Sequence, residues 1–407
     1  MEVTKGYKQT EVGIIPENWD VVPIKSVASV KTGPFGSTLH ERDYVQDGTP
    51  IITVEHLSEH GVVHSNLPMV SNLDLQRLNV YSLRTGDIVF SRVGSVDRNS
   101  LISEKENGWL FSGRLLRIRA ENKYLHTPFL SYYFHSEPFK QRVRSVAVGQ
   151  TMASLNTQIL NAIQIIVPPL PEQRTIAAAL SDVDSLLASL DELIAKKRLI
   201  KEGAMQELLK GKMRLQGFHG KGNKLTEVGV IPEDWDVTSL SKICQMKSGD
   251  GITSADIDQF SKYPCYGGNG IRGFTSRYTH DGQYALIGRQ GALCGNVLGV
   301  EGKFFASEHA VVVTPYEQTD IHWLTYMLGD MRLNQYSESS AQPGLSVSKL
   351  LKLTIAFPTN KFEQTAIVEI LSDMDAEIAA LEARREKTSL LKQGMMQELL
   401  TGKIRLV

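Results

Sequence analysis

Thr10-Glu11-Val12-Gly13-Ile14-Ile15-Pro16-Glu17-Asn18-Trp19-Asp20-Val21 returns 216 positions later as Thr226-Glu227-Val228-Gly229-Val230-Ile231-Pro232-Glu233-Asp234-Trp235-Asp236-Val237, with ten of twelve residues identical. A repeat of this length at one offset marks an internal duplication, and a duplication sets the architecture before any local propensity does. The same offset carries Lys31-Thr32-Gly33 onto Lys247-Ser248-Gly249. Towards the end of each copy, Met205-Gln206-Glu207-Leu208-Leu209-Lys210-Gly211-Lys212-Met213-Arg214-Leu215 returns as Met396 to Leu406, nine of eleven identical, at an offset of 191. The first copy therefore holds 25 more residues than the second. Pro50 pairs with Pro264, Arg92 with Arg289, Phe129-Leu130 with Trp323-Leu324 and Gln150 with Gln342, so most of the extra length falls between Pro50 and Arg92. Two modules that share a frame and differ in an insert are expected to turn one architecture toward two targets.

The periodicity changes at Pro168-Pro169-Leu170-Pro171-Glu172-Gln173. Before it lie short β-branched or alternating runs, Pro50 to Val54, Asp87 to Phe90, Leu115 to Ile118 and Ile163 to Val167, which read as strands. After it, from about Arg174 to Leu209, there is no proline and one glycine, and apolar residues step at heptad spacing: Leu180, Leu187 and Ile194 between Ile176, Val183 and Leu190. The second copy repeats this from Glu363 to Leu400 with Leu371, Ile378, Met374 and Leu381. A helix of about 35 residues is roughly 50 Å long, more than a globular domain needs. Charged residues cover the other faces, so each helix buries only a narrow stripe, and packing the two together is the simplest way to bury both. Leu199, Ile200, Leu390 and Leu391 widen the stripe and are candidate contacts for a further helical partner. The chain accordingly divides into a first module (1–167), a first long helix (168–215), a glycine-rich linker with a second module (216–359) and a second long helix (360–407).

Composition narrows the class. A chain of 407 residues suits two domains, and 42% hydrophobic with 22% charged residues describes a globular protein. No apolar run approaches the ~20 residues that cross a bilayer, and the start lacks a basic segment followed by an apolar one, so a cytoplasmic location without membrane contact is expected. Cys244, Cys265 and Cys294 form neither a disulfide framework nor a zinc site and are expected as buried, reduced thiols. A net charge of -1 gives no bulk attraction to a polyanion, so a case for nucleic acid rests on organisation.

That organisation is a calliper: two similar modules, related by a pseudo-two-fold and spaced by rigid helices, match a duplex whose backbone has local two-fold symmetry and a ~34 Å repeat. Base edges are read by Arg, Lys, Asn, Gln or Ser on loops. Lys31, Ser37, Arg92, Arg98 and Asn99 are the DNA-binding candidates of the first module; Lys247, Arg272, Arg277, Arg289, Gln290 and Asn296 are those of the second. Gly268-Asn269-Gly270-Ile271-Arg272-Gly273 matches a dinucleotide fingerprint but is followed by β-prone polar residues instead of a helix. Glu301-Gly302-Lys303 with Asp281 is a weak match to a metal-dependent nuclease. No catalytic or metal-ligating residues and no cofactor are expected.

Lys31-Thr32-Gly33-Pro34-Phe35-Gly36-Ser37, then Asp43-Tyr44, Gly48-Thr49-Pro50-Ile51-Ile52, Gly86-Asp87-Ile88 and Pro169-Leu170-Pro171-Glu172-Gln173 opening a helix, is similar to the specificity subunit of type I restriction-modification systems. The resemblance covers essentially the whole chain. It implies an α/β class of fold: two similar mixed α/β target recognition domains separated by two long helices packed as an antiparallel coiled coil. It further implies a subunit without catalysis of its own that reads an asymmetric, bipartite site in double-stranded DNA. Two methylation subunits would dock on its helices, and restriction subunits would join in the full complex. Pro358-Thr359-Asn360-Lys361-Phe362-Glu363-Gln364 departs from the proline-rich entry of the first helix. Two other readings are a coiled-coil scaffold for proteins without contact to DNA and an enzyme acting alone on DNA.

Overall fold

Each copy opens on a tight hairpin with a local cause. Tyr7–Thr10 pairs with Gly13–Pro16 and Asn223–Thr226 with Gly229–Pro232, and the threonine hydroxyls of Thr10 and Thr226 each donate to the carbonyl of the turn glycine at 2.7 Å. Gly13 and Gly229 adopt φ of +118° and +108°, a region that favours glycine. The computed structural model describes residues 5–34, 38–121, 123–149, 153–220, 222–291, 293–337 and 344–406.

Contacts divide the chain into two units, Met1–Ser189 with Arg384–Val407, and Leu190–Ala383. These differ from the sequence copies. Each unit takes the module of one copy and the helical tail of the other.

In the first unit, strands Asn99–Leu101, Ile88–Ser91, Leu115–Ala120 and Ala28–Thr32 lie in that order, all antiparallel. Ile88 and Phe90 face the same side as Ile118 and Leu116, as strand alternation requires, and pack with helices Thr127–His135, Glu137–Val146 and Thr157–Ala162. The rings of Phe90 and Phe134 meet edge-on at 5.0 Å, and Phe139 lies 4.5 Å from Phe134. The opposite side, with Val89 and Leu115, packs on Ile52, Leu57, Leu83, Ile102 and Phe111. Here Leu110–Phe111 runs parallel to Thr49–Ile52.

In the second unit, Cys244–Ser248, Ala310–Pro315, His280–Gly288 and Val297–Ala306 form part of a six-stranded sheet. The order Cys244–Ser248, Ala310–Pro315, His280–Gly288, Val297–Ala306 is that of Ala28–Thr32, Leu115–Ala120, Ile88–Ser91, Asn99–Leu101. The parallel pairing recurs as well, with Cys265 opposite Phe305. Helix Ile321–Asp330 buries Trp323, Leu324 and Leu328 against Ala285, Ile287, Val311 and Val313. The copies part where the sequence lengths part. Between Pro50 and Arg92 the first unit holds hairpin Leu57–Ser58/Gly61–Val62, strand Met69–Val70 and helix Asn72–Leu78. The second unit instead carries hairpin Tyr263–Gly267/Gly270–Thr275 and longer central strands.

The Lys-Thr/Ser-Gly motif has a steric reason. A Cβ on Gly33 would sit 2.1 Å from the Ser112 carbonyl oxygen, and one on Gly249 would sit 2.3 Å from that of Ala306, so the backbone approach that ends the strand in each unit excludes any side chain.

The long helices run Leu170–Leu208 and Lys361–Leu399. Asn360 starts the second, its side-chain Oδ1 accepting from Phe362 N at 3.0 Å, where the first helix uses prolines. In the first unit Asp184 pairs with Lys392 at 2.6 Å and Glu172 with Arg405, so one helix advances while the other retreats. In the second unit Lys197 pairs with Glu377 at 2.7 Å and Lys201 with Asp375, again antiparallel. Leu208 and Leu209 enter the core around Trp235; Leu399 and Leu400 enter the core around Trp19. None of the described helices is long and apolar enough to cross a membrane. All three cysteines are buried and unbridged, and burial pushes the Cys244 thiol up to about 12.

Candidate nucleic-acid interface

The shared frame places one arginine identically in both units. Arg92 N donates to Arg114 O at 2.8 Å and its carbonyl accepts from Leu155 N at 2.8 Å; Arg289 N donates to His309 O at 2.9 Å and its carbonyl accepts from Leu345 N at 2.9 Å. Each arginine thus sits at the end of a central strand, tied on both backbone sides, with a half-buried side chain. The guanidinium of Arg289 donates to Ser248 Oγ at 3.3 Å, and that of Arg92 to Gly113 O at 3.4 Å.

Around Arg289 the second unit gathers several candidates. Gln290 Oε1 accepts from His309 Nδ1 at 3.3 Å, and the Gln290 backbone bridges to Gly344. Arg272 lies against Gly267, where an added Cβ would meet its Cδ at 2.5 Å. Lys247, Arg272, Gln290 and Asn296 are exposed. Arg277 is exposed too, with its guanidinium 5.2 Å from the Phe305 ring. Arg289, Gln290 and Asn296 border the turn between strands His280–Gly288 and Val297–Ala306, and Arg277 lies before the first of these strands.

The first unit matches the expectations less well. Lys31 does not project freely: its Nζ donates to Val80 O at 2.9 Å and lies 4.8 Å from the Tyr81 ring. Burial, then the charges of Arg117 and Arg119, hold its pKa below the ordinary value. Arg98 is exposed but donates to the Leu57 carbonyl. Asn99 is corrected: only 1% exposed, it belongs to the edge strand Asn99–Leu101, not to the preceding loop, and offers no surface to a base. Ser37 lies outside the described residues, as do Gln150 and Gln342.

The dinucleotide match is a hairpin turn between Tyr263–Gly267 and Gly270–Thr275, with no helix after it. Lys303 is held by Asp281 at 3.7 Å, and no cluster of metal-binding side chains occurs among the described residues. On the helices, Leu199, Ile200, Leu390 and Leu391 are exposed, at 69%, 46%, 58% and 59%.

Two repeated constellations escaped the sequence reading. Trp19 Nε1 donates to Glu172 at 2.9 Å, and Trp235 Nε1 donates to Glu363 at 3.0 Å. Tyr132 donates to Asp184 and Tyr326 to Asp375, both at 2.7 Å, and Lys392 and Lys201 complete these pairs. Their residues were visible in both copies, but their partners lie too far along the chain for any spacing rule. A third missed feature is a row of cations, Arg84, Arg117 and Arg119 beside Lys31. The alternation Arg117-x-Arg119 within a strand was its sequence signal.

A family model described as the type I restriction modification DNA specificity domain matches residues 16–197 and 232–391. The chain is 28% identical over 362 residues to the type I restriction enzyme EcoprrI specificity subunit of Escherichia coli, covering 87% of each. It is 24% identical over 428 residues to the MjaVIII specificity subunit of Methanocaldococcus jannaschii, covering 96% of this chain and 94% of that protein. Its fold is similar to the S subunit of a type I restriction-modification system from M. genitalium, with TM-score 0.60 at 16% identity over 98% of both chains. A chain from a type I R-M system studied for complex assembly and conformational transition gives 0.61 at 15% identity, covering 96% of this chain and 99% of that one.

Proposed function

The chain belongs to the type I restriction modification DNA specificity family, and from that premise we propose that each module reads one half of an asymmetric, bipartite site in double-stranded DNA. The chain is the non-catalytic specificity subunit of a restriction-modification complex. Divergent inserts on a common sheet would supply two different readings, while the helices set the gap between them. Lys247, Arg272, Arg277, Arg289, Gln290 and Asn296 are the proposed readers of one half-site, and Arg92 and Arg98, with Ser37, those of the other, Lys31 contributing its charge and no direct contact to a base. Two methylation subunits would dock on the exposed leucines and isoleucine of the helices, and restriction subunits would join them.

The observation that carries this reading is the recurrence of one strand order in both units with different connections between Pro50 and Arg92 and between Pro264 and Arg289. A scaffold that bound only proteins through its helices would have no use for two unlike inserts on like sheets. Methylation mapping of host DNA with and without this gene tests it: an interrupted motif methylated only in its presence is expected. Exchanging residues 34–165 for those of another family member should then change one half of the motif and leave the other. A motif altered in both halves, or in neither, would refute the assignment of one module to one half-site.

A further inference from the structure

Lys31 and Arg117 stand directly opposite each other on paired strands Ala28–Thr32 and Leu115–Ala120, and Arg119 follows on the same face. Like charges facing each other across a strand pair repel. Water does little to relieve Arg117, which is only 7% exposed and whose Nε has no partner among the described residues. Lys31 spends its ammonium on neutral groups, the Val80 carbonyl and the Tyr81 ring. Asp87 is the carboxylate within the row, and Arg119 takes both of its oxygens at 2.7 Å, while Arg84 N also donates to it at 2.8 Å. The guanidinium of Arg84 adds a fourth positive charge at the surface. Burial, then Arg119, holds Arg117 below its ordinary pKa, with Arg84 adding to the effect and Asp87 opposing it.

Arg117 shares the single carboxylate of Asp87 with Arg119, which takes both of its oxygens, and a buried cation so weakly compensated is costly and calls for an anion from elsewhere. Beside the row lies a cavity of about 440 Å³ whose lining includes Asn79, Ser82, Leu83, Arg84, Asn107 and Arg119. Its walls come from the segment after helix Asn72–Leu78, which has no counterpart in the second copy, and from the turn at Asn107-Gly108, whose counterpart Glu301-Gly302 carries a carboxylate instead of an amide. The guanidinium of Arg84 and the amide NH2 groups of Asn79 and Asn107 around an open cavity suit a tetrahedral oxyanion, which arginine can hold through paired N–H donors, while Arg119 is held by Asp87 and Ser82 Oγ donates to Asn79 Oδ1.

We propose that this cavity is a phosphate site, and that in the DNA-bound protein it holds a backbone phosphate at the half-site read by the first module. The second clause rests on the function proposed above. The site is confined to the first unit: in the corresponding register Lys247 faces Val312 where Lys31 faces Arg117. The two half-sites are therefore gripped unequally. Arg84 is the accessible contact, while Lys31, Arg117 and Arg119 supply the field behind it.

The test uses the full chain with its methylation subunits, Arg84→Ala as the main variant, and two labelled duplexes, one carrying the mapped motif and one of random sequence. Removing one phosphate contact should lower the slope of log affinity against log salt by about one. Affinity should fall several-fold, by the same factor on both duplexes, with the methylated motif unchanged. If the wild type selects its motif while R84A matches it in slope and affinity on both duplexes, the phosphate site is refuted and the DNA-reading function stands. If the wild type binds neither duplex but inorganic phosphate raises the melting temperature of the wild type and not of R84A, the anion site stands with free phosphate as its ligand, and the DNA reading fails. Arg117→Met separates field from scaffold. Relief of the buried charge should raise the melting temperature without ligand while weakening both duplexes; a lowered melting temperature with unchanged affinity would remove Arg117 from the site.

Discussion

The guanidinium of Arg405 reaches back 233 residues to the carboxylate of Glu172, with Nη2 2.7 Å from Oε2. Glu172 is also the acceptor for Trp19 Nε1, so the indole at the start of the chain, the first turn of one long helix and the tail after the other meet at one buried carboxylate. Arg214, Glu363 and Trp235 repeat the lock in the second unit. Gly402 and Gly211 permit it: both have positive φ, +73° and +66°, and a Cβ on either would meet a proline ring carbon at 2.5 or 2.6 Å.

Arg405→Ala leaves a carboxylate that is 3% exposed with the indole as its remaining donor. Stranding a buried charge in this way costs about 3 kcal/mol. A urea unfolding curve should show the midpoint lowered accordingly, and Glu172→Gln combined with Arg405→Ala should recover part of the loss. Arg214→Ala should cost at least as much, since Arg214 also holds Asp234 at 2.8 Å. Equal midpoints for wild type and Arg405→Ala would show that the lock adds nothing.

Gly33→Ala and Gly249→Ala force a methyl group into backbone carbonyls at 2.1 and 2.3 Å. Overpacking of this kind costs about 1–3 kcal/mol. Each should lower the melting temperature, with Gly61→Ala as a control in open space that carries only backbone strain at φ +109°.

His135 is 9% exposed, and both ring nitrogens lack partners among the described residues. Burial pushes its pKa down to about 4; Lys140, Lys392 and His60 add to this and Glu59 opposes it. The unfolded chain, with the ordinary value near 6.5, therefore binds this proton more readily than the folded one. Stability from the neutral ring is fully present above pH 6.5 and is lost as pH falls toward 4, by up to about 3 kcal/mol. Unfolding free energies across that window should fall more steeply for the wild type than for His135→Phe. Parallel curves would show that the ring does not titrate between the states.

The antiparallel pairing of Asp184 with Lys392 and of Lys197 with Glu377 constrains how the helices can be lengthened. A heptad inserted into one helix alone between these pairs breaks the pairing beyond it and should abolish complex formation. Matched heptads in both helices, within 185–196 and 378–391, should add ~10 Å and widen the gap in the methylated motif by about three base pairs. A motif with its spacing unchanged after the matched insertion would sink the calliper.

Much of the fold was legible because its signals are local. The repeated stretches around Gly13 and Gly229 stood out by identity alone, and a strand was visible at Leu115 to Ile118. The proline-free runs with heptad spacing marked both long helices. The candidate site was read less well. Arg289, Gln290 and Asn296 border one turn, but Asn99 was assigned to a loop and lies inside a strand, because the turn at Ser95 closes back onto Ser91 sooner than composition suggests. Lys31 was chosen as a DNA contact, yet the segment that holds its ammonium lies 49 residues on and is not recognisable from its own sequence.

The sequence by itself determined that two like modules alternate with two long helices, since identity at a fixed offset and apolar periodicity need no knowledge of what packs where. Only the tertiary structure decided that each helix ends in the core of the other copy's module, that Glu172 belongs with Arg405, and that Lys31 faces Arg117. Those facts depend on strand register and on contacts closed across tens to hundreds of residues. The free energy of such a contact comes from burial and charge at the meeting point, and neither has a signature in the residues taken singly.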